Sequence, residues 1–145
     1  MKKINIYLTG AMSAYYYAGE YEKAKQWRDY AKQKLRDCDF GVFDPTDNSE
    51  IHFKYPTYLN SGVIFQNYTY LKNCDILLVN LDKIEDSIGS IWEISMAWAE
   101  HKPIVAFGRC DKWKERPHFQ SMISVILDNV ETACDYILTM YNQKI

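Results

Sequence analysis

The sequence predicts an α/β protein, an open parallel sheet of about five strands with helices on both faces. Three observations predict it. Short apolar runs alternate with longer amphipathic ones along the chain, the run Ile76-Leu77-Leu78-Val79 is apolar enough for a central strand, and glycine or proline closes several of the runs.

Taken in order, Ile4 to Leu8 reads as a buried strand ended by Thr9-Gly10. Residues 20–36 carry Ala24, Trp27, Ala31 and Leu35 at three- and four-residue steps, which puts them on one helical face with Lys and Arg on the other. Phe40 to Phe43 is a short strand closed by Asp44-Pro45. Residues 46–60 look irregular and polar, and Ile64, Tyr68 and Leu71 then recur at the spacing of a helix over about 61–73. After the Ile76–Val79 strand, a helix over about 88–100 ends near His101-Lys102-Pro103, and Ile104 to Gly108 is a strand stopped by glycine. A polar loop (109–117), a short helix around 118–125, a last strand at Val125–Leu127 and a closing helix over 131–142 complete the chain. Five strands are the scale of a flavodoxin-like sheet. Such sheets bind ligands beyond the carboxyl ends of their strands, where strand order reverses. Two segments are singled out, the loop Thr9 to Tyr17 and the loop Asn80 to Gly89.

The 145 residues are the size of a single domain with one core, and 48% hydrophobic with 25% charged residues is an ordinary globular composition. A formal charge of −2, with the Lys and Arg scattered, gives no footprint for a nucleic-acid polymer or an anionic membrane. No apolar run reaches the ~20 residues of a membrane helix. Met1-Lys2-Lys3 leads straight into a strand without a signal-peptide core, so a cytoplasmic protein is expected. Cys38, Cys74, Cys110 and Cys134 form no CxxC pair, and His52, His101 and His118 are equally dispersed, so no metal is implied. The 12 tyrosines, among them Tyr15-Tyr16-Tyr17, Tyr55, Tyr58, Tyr68 and Tyr70, suit an interface, a flat ligand or simply a Tyr-rich core.

Residues 88–99 read IGSIWEISMAWA, and Glu93 is their only ionisable side chain. An ionised carboxylate among Ile91, Trp92, Ile94 and Trp98 costs free energy unless the helix amino end or a neighbour compensates it. A carboxylate kept ionised but poorly hydrated is what a glycosyl nucleophile requires. The plain alternative is a Glu93 that faces solvent or caps its own helix. Gly89, Glu93 and Ala97 share a stripe whose small residues leave room beside the carboxylate. Tyr7, at the end of the first strand, faces the same crevice if the first and third strands are neighbours, and its phenol would orient the carboxylate. Asp82, Glu85 and Asp86 precede the helix, where they favour its positive end or bind sugar hydroxyls. Ser87-Ile88-Gly89-Ser90 offers hydroxyls and backbone N–H groups suited to a phosphate, without the Lys of a P-loop. Thr9 to Ser13 holds one glycine where a dinucleotide fingerprint needs three, and no organic cofactor is implied.

Several segments resemble the nucleoside 2-deoxyribosyltransferase family, which includes the 2'-deoxynucleoside 5'-phosphate N-hydrolases. They are IYLTGAMS at 6–13, Trp27-Arg28, CDILLVNLD at 74–82 and, most specifically, DSIGSIWEISMAWAEHKPIVAFG at 86–108. The resemblance implies a glycosyl-enzyme nucleophile at Glu93 and an orienting tyrosine at Tyr7, with Gly10, Met12, Asp86, Ser87 and Gly89 contacting the substrate. Family members place an aspartate eight residues before Asp75, where it handles the base and its proton. Here that position is Asn67, which hydrogen-bonds a base but donates no proton as an acid. Six residues before the nucleophile, the transferases of free nucleosides tend to carry aspartate and the nucleotide hydrolases serine. Ser87 favours a 5'-phosphate, and Asp86 beside it would repel one if it pointed inward. Ser121-Met122-Ile123 resembles the segment that some relatives offer to a neighbouring subunit's site, which implies a homodimer or higher oligomer.

The expectation is therefore an enzyme that cleaves the bond between base and 2-deoxyribose through Glu93 and passes the sugar to another base. A hydrolase of 2'-deoxynucleoside 5'-monophosphates is the close alternative, a non-catalytic nucleotide-binding domain a more distant one, and an FMN carrier the weakest.

Overall fold

The structure, a computed structural model, describes residues 2–48 and 59–142. Strands β1 (Asn5–Thr9), β2 (Gly41–Phe43), β3 (Ile76–Asn80), β4 (Ile104–Phe107) and β5 (Val125–Leu127) form one all-parallel sheet in the order β2-β1-β3-β4-β5. Helices α1 (Ser13–Tyr17), α2 (Tyr21–Asp37), α3 (Leu59–Asn73), α4 (Ile88–Ala99), α5 (Pro117–Met122) and α6 (Val130–Tyr141) complete it. This is the flavodoxin-like arrangement expected of the strand pattern.

Strand alternation decides which helix covers which face. Ile6, Leu8, Leu78, Val105 and Phe107 point to one side, against Trp27, Ala31 and Leu35 of α2 and Ala133, Cys134 and Ile137 of α6. Tyr7, Leu77, Val79, Ile104 and Ala106 point to the other, against Leu71 of α3, Ile94 and Ala97 of α4 and Phe119 of α5. The periodic positions read from the sequence of α2, Ala24, Trp27, Ala31 and Leu35, are all buried. β3 is buried at every position, as a central strand must be.

Local chemistry sets the element ends. Ser87 caps α4 by accepting from the Ser90 N–H, Asn129 caps α6 by accepting from that of Thr132, and Pro117 opens α5. His101 takes φ 59° just past α4, which stops the helix one residue before Lys102-Pro103. Gly108 takes φ 87° where an added Cβ would meet Asp82 Oδ1 at 2.8 Å, so that turn requires glycine.

Two expectations differ from the structure. The Thr9–Tyr17 segment is not all loop, because Ser13–Tyr17 coils into α1 and buries Tyr15 while Tyr16 and Tyr17 face outward. The helix expected around 118–125 is Pro117–Met122, since residues 125–127 pair with β4. His52, Tyr55, Tyr58 and most of the stretch expected to be irregular lie outside the described residues.

Candidate active site

Strand order reverses at β1 and β3, and the elements leaving these two strands diverge to opposite faces of the sheet. A cavity of about 480 Å³ opens beyond their carboxyl ends. That is room for a nucleoside-sized ligand, since small-molecule sites run roughly 300–1,000 Å³. The turn after β1 contributes Gly10 and Met12, α2 contributes Arg28, α3 contributes Val63 and Asn67, and the start of α4 contributes Ser87, Gly89 and Glu93. Asp86 and Thr46 complete the rim. An adjoining apolar cleft of about 240 Å³, between α3 and α4, is lined by Ile64 and Trp92 and shares Asn67, Gly89 and Glu93 with the main cavity.

Glu93 is 7% exposed, so it neither faces bulk water nor caps its helix, a task that Ser87 performs. Burial pushes its carboxyl up to about 7, against an opposing pull from the Tyr7 phenol and from the Arg28 guanidinium. Tyr7 is fully buried because its strand parity aims it at the α3–α4 side. Burial, and then the Glu93 charge, raise its phenol far above the usual range, so the phenol stays protonated and has a proton to offer the Glu93 carboxylate. The two groups are neighbours without an aligned hydrogen bond, and Tyr7 Oη and Glu93 Oε2 are both buried without a partner. Such contacts commonly tighten when a site engages its ligand.

The room beside Glu93 comes from Gly89, around which an added Cβ would meet nothing within 4 Å. Ala97, expected to contribute room as well, packs into the core instead. Ser87 Oγ lies 2.8 Å from Ser90 Oγ, so two hydroxyls cluster at the amino end of α4. Asp82 and Glu85 turn away from this cavity and line a separate charged cleft with Lys23, Lys83, Arg109 and Lys112. Ser121 is exposed on α5 and lies outside the lining of its own chain's cavity.

The sequence pattern does not mark Arg28 as a site residue, because it assigns the cations of α2 to the solvent face. Arg28 is 2% exposed, and it donates through one terminal nitrogen to Asp44 Oδ1 at 2.9 Å and through the other to the Gly10 carbonyl at 2.9 Å. The acid that closes β2, Asp44, was the available signal, being a buriable partner next to a predicted strand end. Among the described residues no group of three or more His, Cys, Asp or Glu side chains is placed to hold a metal ion. No described helix is long and apolar enough to cross a membrane.

Residues 15–122 match the nucleoside 2-deoxyribosyltransferase family. The chain belongs to that family. Its members are enzymes acting on nucleosides and free bases, and this family member is an enzyme too. The fold agrees with solved structures along nearly its whole length. A 2-deoxyribosyltransferase from Bacillus psychrosaccharolyticus is 20% identical with a TM-score of 0.67, over 91% of this chain and 91% of that one. A 2-desoxiribosyltransferase from Leishmania mexicana is 16% identical with a TM-score of 0.64, over 95% and 99%. A CMP N-glycosidase from Clostridium botulinum is 16% identical with a TM-score of 0.59, over 92% and 96%. A search of the curated proteins finds no match. The family match thus places the chain among the nucleoside 2-deoxyribosyltransferases, and these solved structures share its fold.

Proposed function

We propose that this transferase-family enzyme exchanges the base of a 2-deoxynucleoside through a covalent ester on Glu93. The observation that carries the reading is a nearly dry carboxylate on the wall of a nucleoside-sized cavity, next to a buried phenol.

A Glu93 carboxylate oxygen attacks C1' of the sugar, and the C1'–N bond breaks with its electron pair passing to the base. Tyr7 donates to the other carboxylate oxygen and orients it. Asn67 hydrogen-bonds the departing base from α3, where Trp92 and Ile64 offer flat and apolar walls for a ring. Because an amide is no acid, the proton gained by the base comes from solvent. A second base then attacks C1', Glu93 leaves as carboxylate, and the incoming base gives its N–H proton to solvent. Two displacements at one carbon retain its configuration. Gly10 and Met12 hold the sugar from the β1 turn, and Ser121 is proposed to reach the cavity of a second copy in a homo-oligomer.

Ser87 and Ser90 favour a second reading, in which the substrate is a 2'-deoxynucleoside 5'-monophosphate and water is the acceptor. Their hydroxyls and the amino end of α4 suit a phosphate, while Asp86 on the rim opposes one. The test incubates the protein with each deoxynucleoside and its 5'-monophosphate, with and without a second free base, and separates the products by chromatography. Base exchange on free nucleosides upholds the transferase. Base release confined to monophosphates replaces it with the hydrolase, and inertness toward both classes refutes the proposal.

A further inference from the structure

The geometry points to Arg28 as the positioning residue of this site. Its guanidinium ties the β1 turn to the acid that closes β2, and it supplies the positive charge that a buried carboxylate at Glu93 needs. The inference rests on Glu93 being the reacting group.

An arginine buried to this degree requires a reason. Desolvating a guanidinium and a carboxylate usually costs as much as their attraction returns, and apolar side chains of similar size would pack the space at least as well. Yet this ion pair is built with care. Asp44 accepts from Arg28, from the Thr46 N–H at 2.9 Å and from the Thr46 hydroxyl at 2.7 Å, while Lys32 Nζ stands 3.1 Å from its other oxygen. Burial alone would raise the Asp44 carboxyl, but Arg28 first, then Thr46 and Lys32, hold it below the usual range. Asp44 is thus a fixed anion that pins Arg28. The second fork of the guanidinium reaches the Gly10 carbonyl, and Gly10 itself lines the cavity. A Cβ on Gly10 would meet Trp27 at 2.9 Å and the Arg28 guanidinium at 3.6 Å, so the bare glycine lets the turn settle on this pair.

The charge around Glu93 has few sources. Its own helix, α4, carries no other ionisable group. From β1 it faces the neutral Tyr7 phenol, from α2 the Arg28 cation, and from the segment after β2 the Asp44 anion. From the described part of α3 come Val63 and Asn67, neither of them charged, and Asp86 stands on the exposed rim of the cavity. Arg28 is therefore the one cation among the described groups acting on Glu93. Its pull favours the carboxylate both before attack and as the glycosyl ester breaks down.

The test compares full-length wild type with Arg28→Gln, Arg28→Lys and the pair Arg28→Gln with Asp44→Asn, which removes both charges together. Two readouts are followed: the pH profile of kcat/KM for base release or exchange, and the 13C carboxyl signal of Glu93, identified as the one missing from Glu93→Gln. In Arg28→Gln both midpoints are expected to rise together by about one pH unit, the lower end of what a neighbouring opposite charge does to a carboxyl. Arg28→Lys is expected to stay near the wild-type midpoint, because the charge is kept. A folded Arg28→Gln whose midpoints match wild type, with activity falling only as stability falls, overturns the proposal. If Arg28→Gln does not fold, the paired variant decides: midpoints above wild type uphold the proposal and unchanged ones overturn it. Turnover surviving in Glu93→Gln would sink the Glu93 reading itself, whereas an inactive Glu93→Gln beside unmoved midpoints would sink only the role given to Arg28.

Discussion

Replacing Glu93 by Gln should make the protein more stable above neutral pH. In the native state burial raises the Glu93 carboxyl from 4.5 to about 7. Each unit of that rise is worth about 1.4 kcal/mol, so the folded state disfavours the charged form by about 3 kcal/mol. Between pH 4.5 and 7 the native state holds a proton that the unfolded chain has lost, so stability falls as pH rises across this window. Gln is neutral throughout. Glu93→Gln and wild type should be nearly equal at pH 4.5, separate progressively, and differ by about 3 kcal/mol at pH 8, or about 6–12 °C in Tm for a chain of this size. Urea unfolding of both proteins at half-unit steps from pH 4.5 to 8.5 measures the difference directly. A difference that does not grow with pH, or a variant less stable at pH 8, would refute the claim that this carboxylate is held at a cost. A functional group kept in an unfavourable state is an ordinary source of conflict between stability and activity.

Three further outcomes follow from the same geometry. Activity should rise with pH through a midpoint of about 7 as Glu93 ionises, and a kcat/KM profile that is flat from pH 5.5 to 8.5 would contradict this. Tyr7→Phe removes a buried hydroxyl that has no aligned partner, so unfolding should change by less than about 1 kcal/mol, while the activity midpoint moves upward for loss of the donor beside Glu93. Gly10→Ala places a methyl 2.9 Å from Trp27 and 3.2 Å from Asn80 Cβ, which should cost about 1–3 kcal/mol in denaturant melts and lower kcat by shifting the turn held by Arg28.

Much of the fold was legible because two periodicities coincide with burial. Alternate residues of β1, β3 and β4 divide cleanly between the two faces, and the three- and four-residue steps of α2 all point inward. Helix α1 escaped because five residues are too few to show a period, and its tyrosines suit a loop as well as a helix. Glu93 stood out in sequence as a lone charge in an apolar helix, and its burial bears on the same physics. Arg28 did not, because a cation among the lysines of an amphipathic helix looks solvated until its partner on another segment is known. Asp82 and Glu85 illustrate the reverse. Their position before α4 resembles that of Asp86, but the turn at Ile84–Asp86 sends them toward a different cleft, and no local pattern records that direction.

The covalent route proposed for Glu93 requires a sugar bonded to that residue during turnover. Acid quenching of the enzyme with a 2-deoxynucleoside, followed by intact-mass measurement and peptide mapping, would trap that ester and locate it. One deoxyribosyl adduct is expected, located on the peptide that contains Glu93 and missing from Glu93→Gln. A working enzyme with no adduct at any quench time, or an adduct mapped to another residue, would contradict that route.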